Sequence, residues 1–150
     1  MTELTENPTT YDVVAFYKFV EIDDCETFAP SLKQAMLDRD VMGTILLAEE
    51  GINGTISGSE SSINQILELI RSHPGLHDLE SKRSYAPTHV FNRAKVKVKP
   101  SLISIGEDVD PTKVVGEYVD PKDWNALISD PEVVLIDTRN DYEYYAGTFE

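Results

Sequence analysis

The residues best placed to do chemistry in this sequence are cations. From Ser81 to Gly106 the chain reads SKRSYAPTHVFNRAKVKVKPSLISIG, 26 residues without one Asp or Glu. Six of the 13 basic residues fall there, Lys82, Arg83, Arg93, Lys95, Lys97 and Lys99, although the whole chain carries a net charge of −14. A protein this acidic repels polyanions, so a concentrated acid-free segment points to a phosphate-bearing partner. Arg93, Lys95, Lys97 and Lys99 alternate with Ala94, Val96 and Val98. Period-two alternation is how a half-buried strand is written, with the apolar side on a core and the basic side outward. Arg83, Arg93, Lys95, Lys97 and Lys99 are therefore the expected phosphate contacts, each a point or fork of positive charge. Tyr85, His89 and Phe91 share the segment and would either stack on unpaired bases or sit in a core.

The other reactive groups carry weaker signals. Cys25 is the only thiol. Neighbouring Asp23, Asp24 and Glu26 disfavour a thiolate, a helix N-terminus would favour one, and no His lies nearby, so it reads as structural. His73 and His77 have a helical metal spacing, but Pro74-Gly75 between them breaks any helix. No metal or cofactor is expected. Glu49 and Glu50 would repel a phosphate at their turn, and no glycine-rich anion loop is present. Asn53 beside them reads as satisfying local backbone groups. Asp137 and Arg139 follow an apolar run and read as structural, although such an Arg can hold an anion.

The elements that must position these groups are legible in order. Residues 1–10 form a polar tail. Val13–Val20 suits a strand buried on both faces. Asp23 with Glu26 resembles a capping box, and Phe28, Leu32, Ala35 and Met36 recur at helical spacing up to about Asp38. Pro30 inside that pattern either kinks the helix or marks its first turn. Residues 43–48 and 52–58 make two strands around a tight turn, in which Gly51 can take a positive φ. Ser59 caps a helix with Ile63, Ile66, Leu67 and Ile70 inward. Leu79–Tyr85 is a further strand. Strand, helix, strand, strand, helix, strand is the split βαβ, ferredoxin-like α+β arrangement, an antiparallel sheet with two helices on one face. The basic strand at 93–99 would extend that sheet or run along its edge.

Beyond it, residues 106–117 read as a linker. Asp120 and Pro121 begin a helix with Trp124, Leu127 and Ile128 on one face. Val133–Ile136 reads as a strand, and Asn140 begins a short helical piece. One helix, one strand and part of another helix cannot bury a core, so residues 118–150 read as the start of an incomplete α/β domain. The single cysteine fits a reducing compartment, and no signal-like or membrane-spanning run occurs, so a soluble cytoplasmic protein is expected.

Four segments together resemble one family: AEEGINGT at 48–55, RAKVKVK at 93–99, Tyr118–Asn125 with Pro121 and Trp124, and LIDTRN at 135–140 followed by Tyr142-Glu143 and Gly147-Thr-Phe149. Over residues 11–150 the chain is similar to the rhodanese-domain tRNA uridine hydroxylases. The resemblance implies an acylphosphatase-like, ferredoxin-like domain at 11–105 and the beginning of a rhodanese domain at 118–150. It also implies tRNA as partner, rather than DNA or a membrane, and oxygen-dependent conversion of the wobble uridine to 5-hydroxyuridine by the full-length oxidoreductase. Asp137, Arg139 and Glu143 would be structural residues of the rhodanese motif, with Glu143 paired to a basic group. The family's essential cysteine would lie beyond Glu150, so no catalytic residue is expected within this sequence and the fragment would be inactive. A rhodanese-type sulfurtransferase and a non-catalytic RNA- or protein-interaction module are the alternative readings.

Overall fold

The computed structural model describes residues 10–102, 113 and 116–148. The chain divides into two compact units, Met1–Val114 and Val115–Glu150. The expected tail and most of the expected linker lie outside the described residues.

The first unit is built on five strands: β1 (Tyr11–Phe19), β2 (Met42–Ala48), β3 (Gly51–Gly58), β4 (Ser81–Ala86) and β5 (Ala94–Val98). Their order across the sheet is β4-β1-β3-β2-β5. The first four pair antiparallel, and β5 joins β2 in parallel, so the sheet is mixed. Helices α1 (Cys25–Asp38) and α2 (Glu60–Arg71) supply the two remaining pieces of the ferredoxin-like α+β fold.

The core lies on the helix side of the sheet. Val14, Phe16, Ile45, Leu47, Ile52 and Ile56 are buried against Leu32 and Met36 of α1 and Ile63, Ile66 and Ile70 of α2. Full burial of each such side chain contributes roughly 1.5–3 kcal/mol, enough for this one layer to fix the fold. Ala94, Val96 and Val98 of β5 pack on the rim of the same cluster.

Neither α1 nor α2 covers the opposite face, which corrects the expectation for the first strand. Along β1, Val14 and Phe16 are buried while Ala15 and Tyr17 are exposed. The unbroken apolar spelling hid a one-sided strand, because Ala and Tyr both tolerate a wet surface.

Local signals otherwise map onto the structure with small shifts. Ser59 caps α2, its hydroxyl oxygen accepting from the Ser62 amide at 3.2 Å. The first helix starts later than the Asp23–Glu26 pair suggests. Its N-cap is Asp24, without a side-chain capping bond, so the expected box does not form. Pro30 sits inside α1 on its exposed side. Glu26, whose carbonyl loses its helical donor there, is itself an exposed residue. Gly51 takes φ +146° at the β2–β3 turn.

In the second unit, α3 (Pro121–Ile128) begins where Asp120-Pro121 places it, and α4 (Asp141–Ala146) follows Asn140. The expected strand at Val133–Ile136 does not form; Val134 and Ile136 are 81% and 75% exposed. A strand needs a neighbour for its backbone bonds, and the described residues of this unit provide none. No helix among the described residues is long and apolar enough to cross a membrane.

Two outcomes test this fold. Gly43 has φ +134°, and a Cβ there would stand 2.2 Å from the Thr55 carbonyl oxygen. Gly43→Ala is expected to cost about 3 kcal/mol in urea unfolding, from backbone strain plus steric overlap. A midpoint equal to wild type contradicts the β2–β3 geometry. None of the described residues of the second unit is buried. Amides at 118–148 should therefore exchange orders of magnitude faster than those of β1–β3, and protection equal to the sheet's would show that the unit is held by a core after all.

Candidate nucleic-acid interface

The strand register sorts every sheet residue onto one face or the other. Residues directly opposite in neighbouring strands share a face. One row across the uncovered face runs Lys82, Ala15, Thr55, Thr44, Lys95. The next row runs Tyr17, Asn53, Leu46, Lys97. Asp12 is the one carboxylate in all five strands. It is buried on the helix side. No strand residue that points to the uncovered face is therefore acidic, although the chain holds 27 Asp and Glu residues.

The basic segment reaches this face only in part. Its two halves lie on opposite edges, β4 on one side and β5 on the other. Four strand spacings separate them, about 19 Å. Lys95 and Lys97 are exposed and stand on the uncovered face, as the alternation predicts. Arg93 and Lys99 flank β5; the Arg93 carbonyl accepts from the Gly43 amide at 2.9 Å, and the Lys99 amide donates to the Leu47 carbonyl at 2.8 Å. Among the described residues no carboxylate pairs with Lys82, Arg93, Lys95, Lys97 or Lys99. These cations are available to an outside anion.

Arg83 is placed differently. It stands opposite Val14, so it projects to the helix side. Its guanidinium donates to the Asp12 carboxylate and, at 2.6 Å, to the Asn64 side-chain oxygen on α2. The cation that looked like a surface contact is committed to neutralising a buried acid. Lys99 also has a divided setting. It borders a hollow of about 570 Å³ at the start of α1 whose other walls include Asp23, Glu26 and Glu49. Three carboxylates around one lysine make that hollow hostile to phosphate.

The β4–β5 connection shapes the far end of the uncovered face. His89 lies with its ring 4.1 Å from that of Tyr11, and its nitrogens approach Ser57 Oγ at 3.5 Å and Asp40 Oδ2 at 3.3 Å. Phe91 and Arg93 line a cleft of about 290 Å³ with Thr44 and Lys95. Tyr85 is 70% exposed but shares the helix-side row with Asp12. Of the three aromatic candidates, Phe91 alone lines that cleft with Lys95. Tyr17, 53% exposed on β1, carried no expectation in the sequence, whereas Asn53 beside it, expected to satisfy local backbone groups, makes no side-chain hydrogen bond among the described residues. The signal for Tyr17 was present as the alternation Val14, Ala15, Phe16, Tyr17.

The remaining reactive groups are occupied. Cys25 is buried, its Sγ donates to the Ile22 carbonyl at 3.3 Å, and burial followed by the Asp24 charge pushes the thiol pKa up. His73 is held by Asp24 at 2.6 Å while His77 stays exposed near Asp78 at 3.9 Å. Among the described residues no group of His, Cys, Asp and Glu is arranged to hold a metal.

In the second unit Arg139 grips Asp137 with two parallel bonds, Nε to Oδ1 at 2.9 Å and Nη2 to Oδ2 at 2.7 Å, and adds Nη2 to the Gly147 carbonyl at 3.0 Å. The guanidinium holds the Asp137 pKa down to about 2. Glu143 accepts from the Asn140 backbone amide at 3.1 Å and so closes the start of α4.

The Arg83–Asp12 contact is testable as a structural bond. Arg83→Met should leave the buried Asp12 without a counter-charge and destabilise the first unit by about 2 kcal/mol, less than a fully buried pair because Arg83 is partly exposed. Urea unfolding reads this directly; an unchanged midpoint would return Arg83 to the surface cations.

In shape the first unit is similar to several solved proteins. A BlrP1 BLUF structure shares 14% identity over 60% of this chain and 64% of that one, with a TM-score of 0.49. A Klebsiella pneumoniae BlrP1 complex shares 14% identity over 60% of this chain and 24% of that one, TM-score 0.49. An acylphosphatase from Coxiella burnetii shares 13% identity over 65% of this chain and all of that one, TM-score 0.43. The chain thus spans less than two thirds of the BlrP1 chains it matches. The sequence profile described as the UPF0176 acylphosphatase like domain matches residues 11–102, the span that holds the whole sheet and both of its helices. By that match the chain belongs to the UPF0176 family, through its acylphosphatase-like domain.

Proposed function

We propose that residues 11–102 are the tRNA-holding domain of a tRNA-modifying enzyme, one that hydroxylates the wobble uridine to 5-hydroxyuridine. The observation that carries this reading is the acid-free sheet face with its unpaired cations in a chain of net charge −14. Phosphate is the anion such a surface suits, and contacts of this kind fix position without reading sequence. Lys95 and Lys97 are the central contacts, with Lys82 on the far edge and Arg93 and Lys99 flanking. Arg83 supports the domain from within.

The acylphosphatase-like fold alone does not argue for phosphate hydrolysis here. The start of α1 is walled by Asp23, Glu26 and Glu49, which oppose an anionic substrate at that helix end. The one thiol, Cys25, is buried, and that burial together with the Asp24 charge pushes its pKa up, away from a nucleophilic thiolate. The part of the reaction that belongs to these residues is therefore binding and orientation. Within the proposal, residues 118–150 open a rhodanese domain, in which the Asp137–Arg139 clamp holds the turn before α4. The cysteine chemistry and the oxygen-dependent step would belong to the enzyme as a whole.

Binding of the 150-residue chain to labelled tRNA, followed by fluorescence anisotropy at several salt concentrations, tests the reading. Lys95→Ala/Lys97→Ala should weaken binding and flatten the dependence of log K on log salt by roughly 0.7–0.9 per lysine removed. Circular dichroism should stay that of wild type, since both side chains are exposed. An unaltered affinity and slope in the folded double variant would overturn the proposal.

A further inference from the structure

We propose that the cleft at the head of β5 seats one unpaired nucleotide of the RNA, its phosphate held by Arg93 and Lys95 and its base laid against Phe91. The proposal rests on the tRNA-holding reading and gives it a defined subsite.

The cleft, of about 290 Å³, is lined by Thr44, Val90, Phe91, Asn92, Arg93 and Lys95. None of these is acidic, in contrast to the hollow at the start of α1, where three carboxylates face one lysine. Lys95 stands beside Thr44 in the parallel β2–β5 register, about 5 Å away. Arg93, two residues before Lys95 and so about 7 Å along the chain, borders the same cleft. Both cations are exposed, and neither meets a carboxylate among the described residues. The Arg93 fork and the Lys95 ammonium can therefore close on one phosphate, with the Thr44 hydroxyl as a further donor.

The apolar wall decides for a nucleotide over a bare phosphate ion. Phe91 is half-buried and makes no ring–ring contact among the described residues. Val90 beside it is 49% exposed. A phosphate ion has no use for such a wall, whereas every base has a π-face that stacks on an aromatic ring. Size agrees, since small-ligand sites begin at about 300 Å³, which suits one nucleotide rather than a longer stretch. Asn92, exposed at the rim, offers a base edge one acceptor and two donor hydrogens. A duplex keeps its base faces stacked within the helix, so only an unpaired nucleotide can present one here. An acidic peptide would meet the two cations but leave Phe91 unused.

The wall is held at both ends. On one side His89 lies with its ring 4.1 Å from that of Tyr11 and within 3.5 Å of Ser57 Oγ and 3.3 Å of Asp40 Oδ2. On the other, the Arg93 carbonyl accepts from the Gly43 amide at 2.9 Å. Residues 90–92 are a short span between these anchors, so a ligand has little ordering left to impose. Lys97, two residues beyond Lys95, lies outside the cleft, where a neighbouring phosphate would follow.

The test uses the 150-residue chain with an unstructured RNA oligonucleotide and a blunt RNA duplex. The oligonucleotide should bind tighter. In isotope-labelled wild type it should shift the amide resonances of Thr44, residues 90–93 and Lys95 most. Phe91→Ala should weaken it roughly 5- to 100-fold, the range for losing one base–aromatic stack, with the salt slope and the duplex affinity unchanged. Phe91→Tyr should retain most of the affinity. Arg93→Gln should flatten the salt slope for the oligonucleotide by roughly 0.7. A free nucleoside monophosphate should compete far more weakly than the oligonucleotide, because it lacks the flanking phosphates. If Phe91→Ala, folded by circular dichroism, binds like wild type while Lys95→Ala/Lys97→Ala fails, the nucleotide seat is overturned and the tRNA-holding reading stands. Equal loss of both probes in Phe91→Ala would make Phe91 a support of the loop and overturn the seat as well. Should Phe91→Ala not fold, the wild-type resonances decide, and largest shifts away from the cleft overturn the proposal. Competition by the free monophosphate or by an acidic peptide as strong as by the oligonucleotide would make that molecule the occupant, with the same result. If wild type binds neither RNA probe, both readings fall.

Discussion

Both helices of the first unit pack on the same side of its sheet, and the rest of the structure depends on that asymmetry. Val14, Phe16, Ile45, Leu47, Ile52 and Ile56 have one apolar layer to enter, formed by α1 and α2. Strand geometry then sends every alternate residue the other way. Chemistry on the uncovered face is thus set by residues that play no part in the core, and they can be cations or small polar groups at little cost in stability. Gly54 serves the layer in a different manner. A Cβ there would stand 2.8 Å from the Phe16 ring, so its absence leaves room for that ring in the core.

Charge is sorted by the same asymmetry. The single strand carboxylate, Asp12, is on the helix side, and Arg83 is spent on it. Lys18, also on that side, is held by Asp78 and by the Gly75 carbonyl at 2.7 Å. Arg71 is held by the Leu79 carbonyl at 3.1 and 2.9 Å. Cations whose side chains find fixed partners rigidify the domain, while those of β5 and Lys82 have none among the described residues. Fixed partnership separates structural cations from available ones more sharply than abundance along the chain does.

That distinction was beyond the reach of the sequence. Apolar spacing located both helices of the first unit, and alternation put Lys95 and Lys97 outward, because those signals are local. The acid-free segment looked like one platform because its cations are neighbours in the chain. Strand order is a long-range property, and it sends β4 and β5 to opposite edges. The pairing of Arg83 was hidden for the same reason, since its partners Asp12 and Asn64 lie 71 and 19 residues away from it. The apolar run at Val133–Ile136 shows a related limit: residue type can favour a strand, but only a partner strand completes its hydrogen bonds. In contrast, the Asp137–Arg139 clamp spans two residues and forms without such help.

The acid at the start of α1 sharpens what the fold can and cannot do. A helix N-terminus is a favourable site for an anion by its dipole alone, worth roughly 0.3–1 kcal/mol near the surface. Here Asp23, Glu26 and Glu49 surround it, and each carboxylate a few ångströms from a phosphate costs about as much as the dipole supplies, or more. The same family fold therefore presents one end that repels phosphate and one face that attracts it. On the tRNA-holding proposal, an RNA approaching this domain would be steered away from the helix end and toward β5 by a field the chain builds from its own excess of acid. The net charge of −14, which at first argues against any polyanion partner, would make such binding on the basic face more selective in place and orientation.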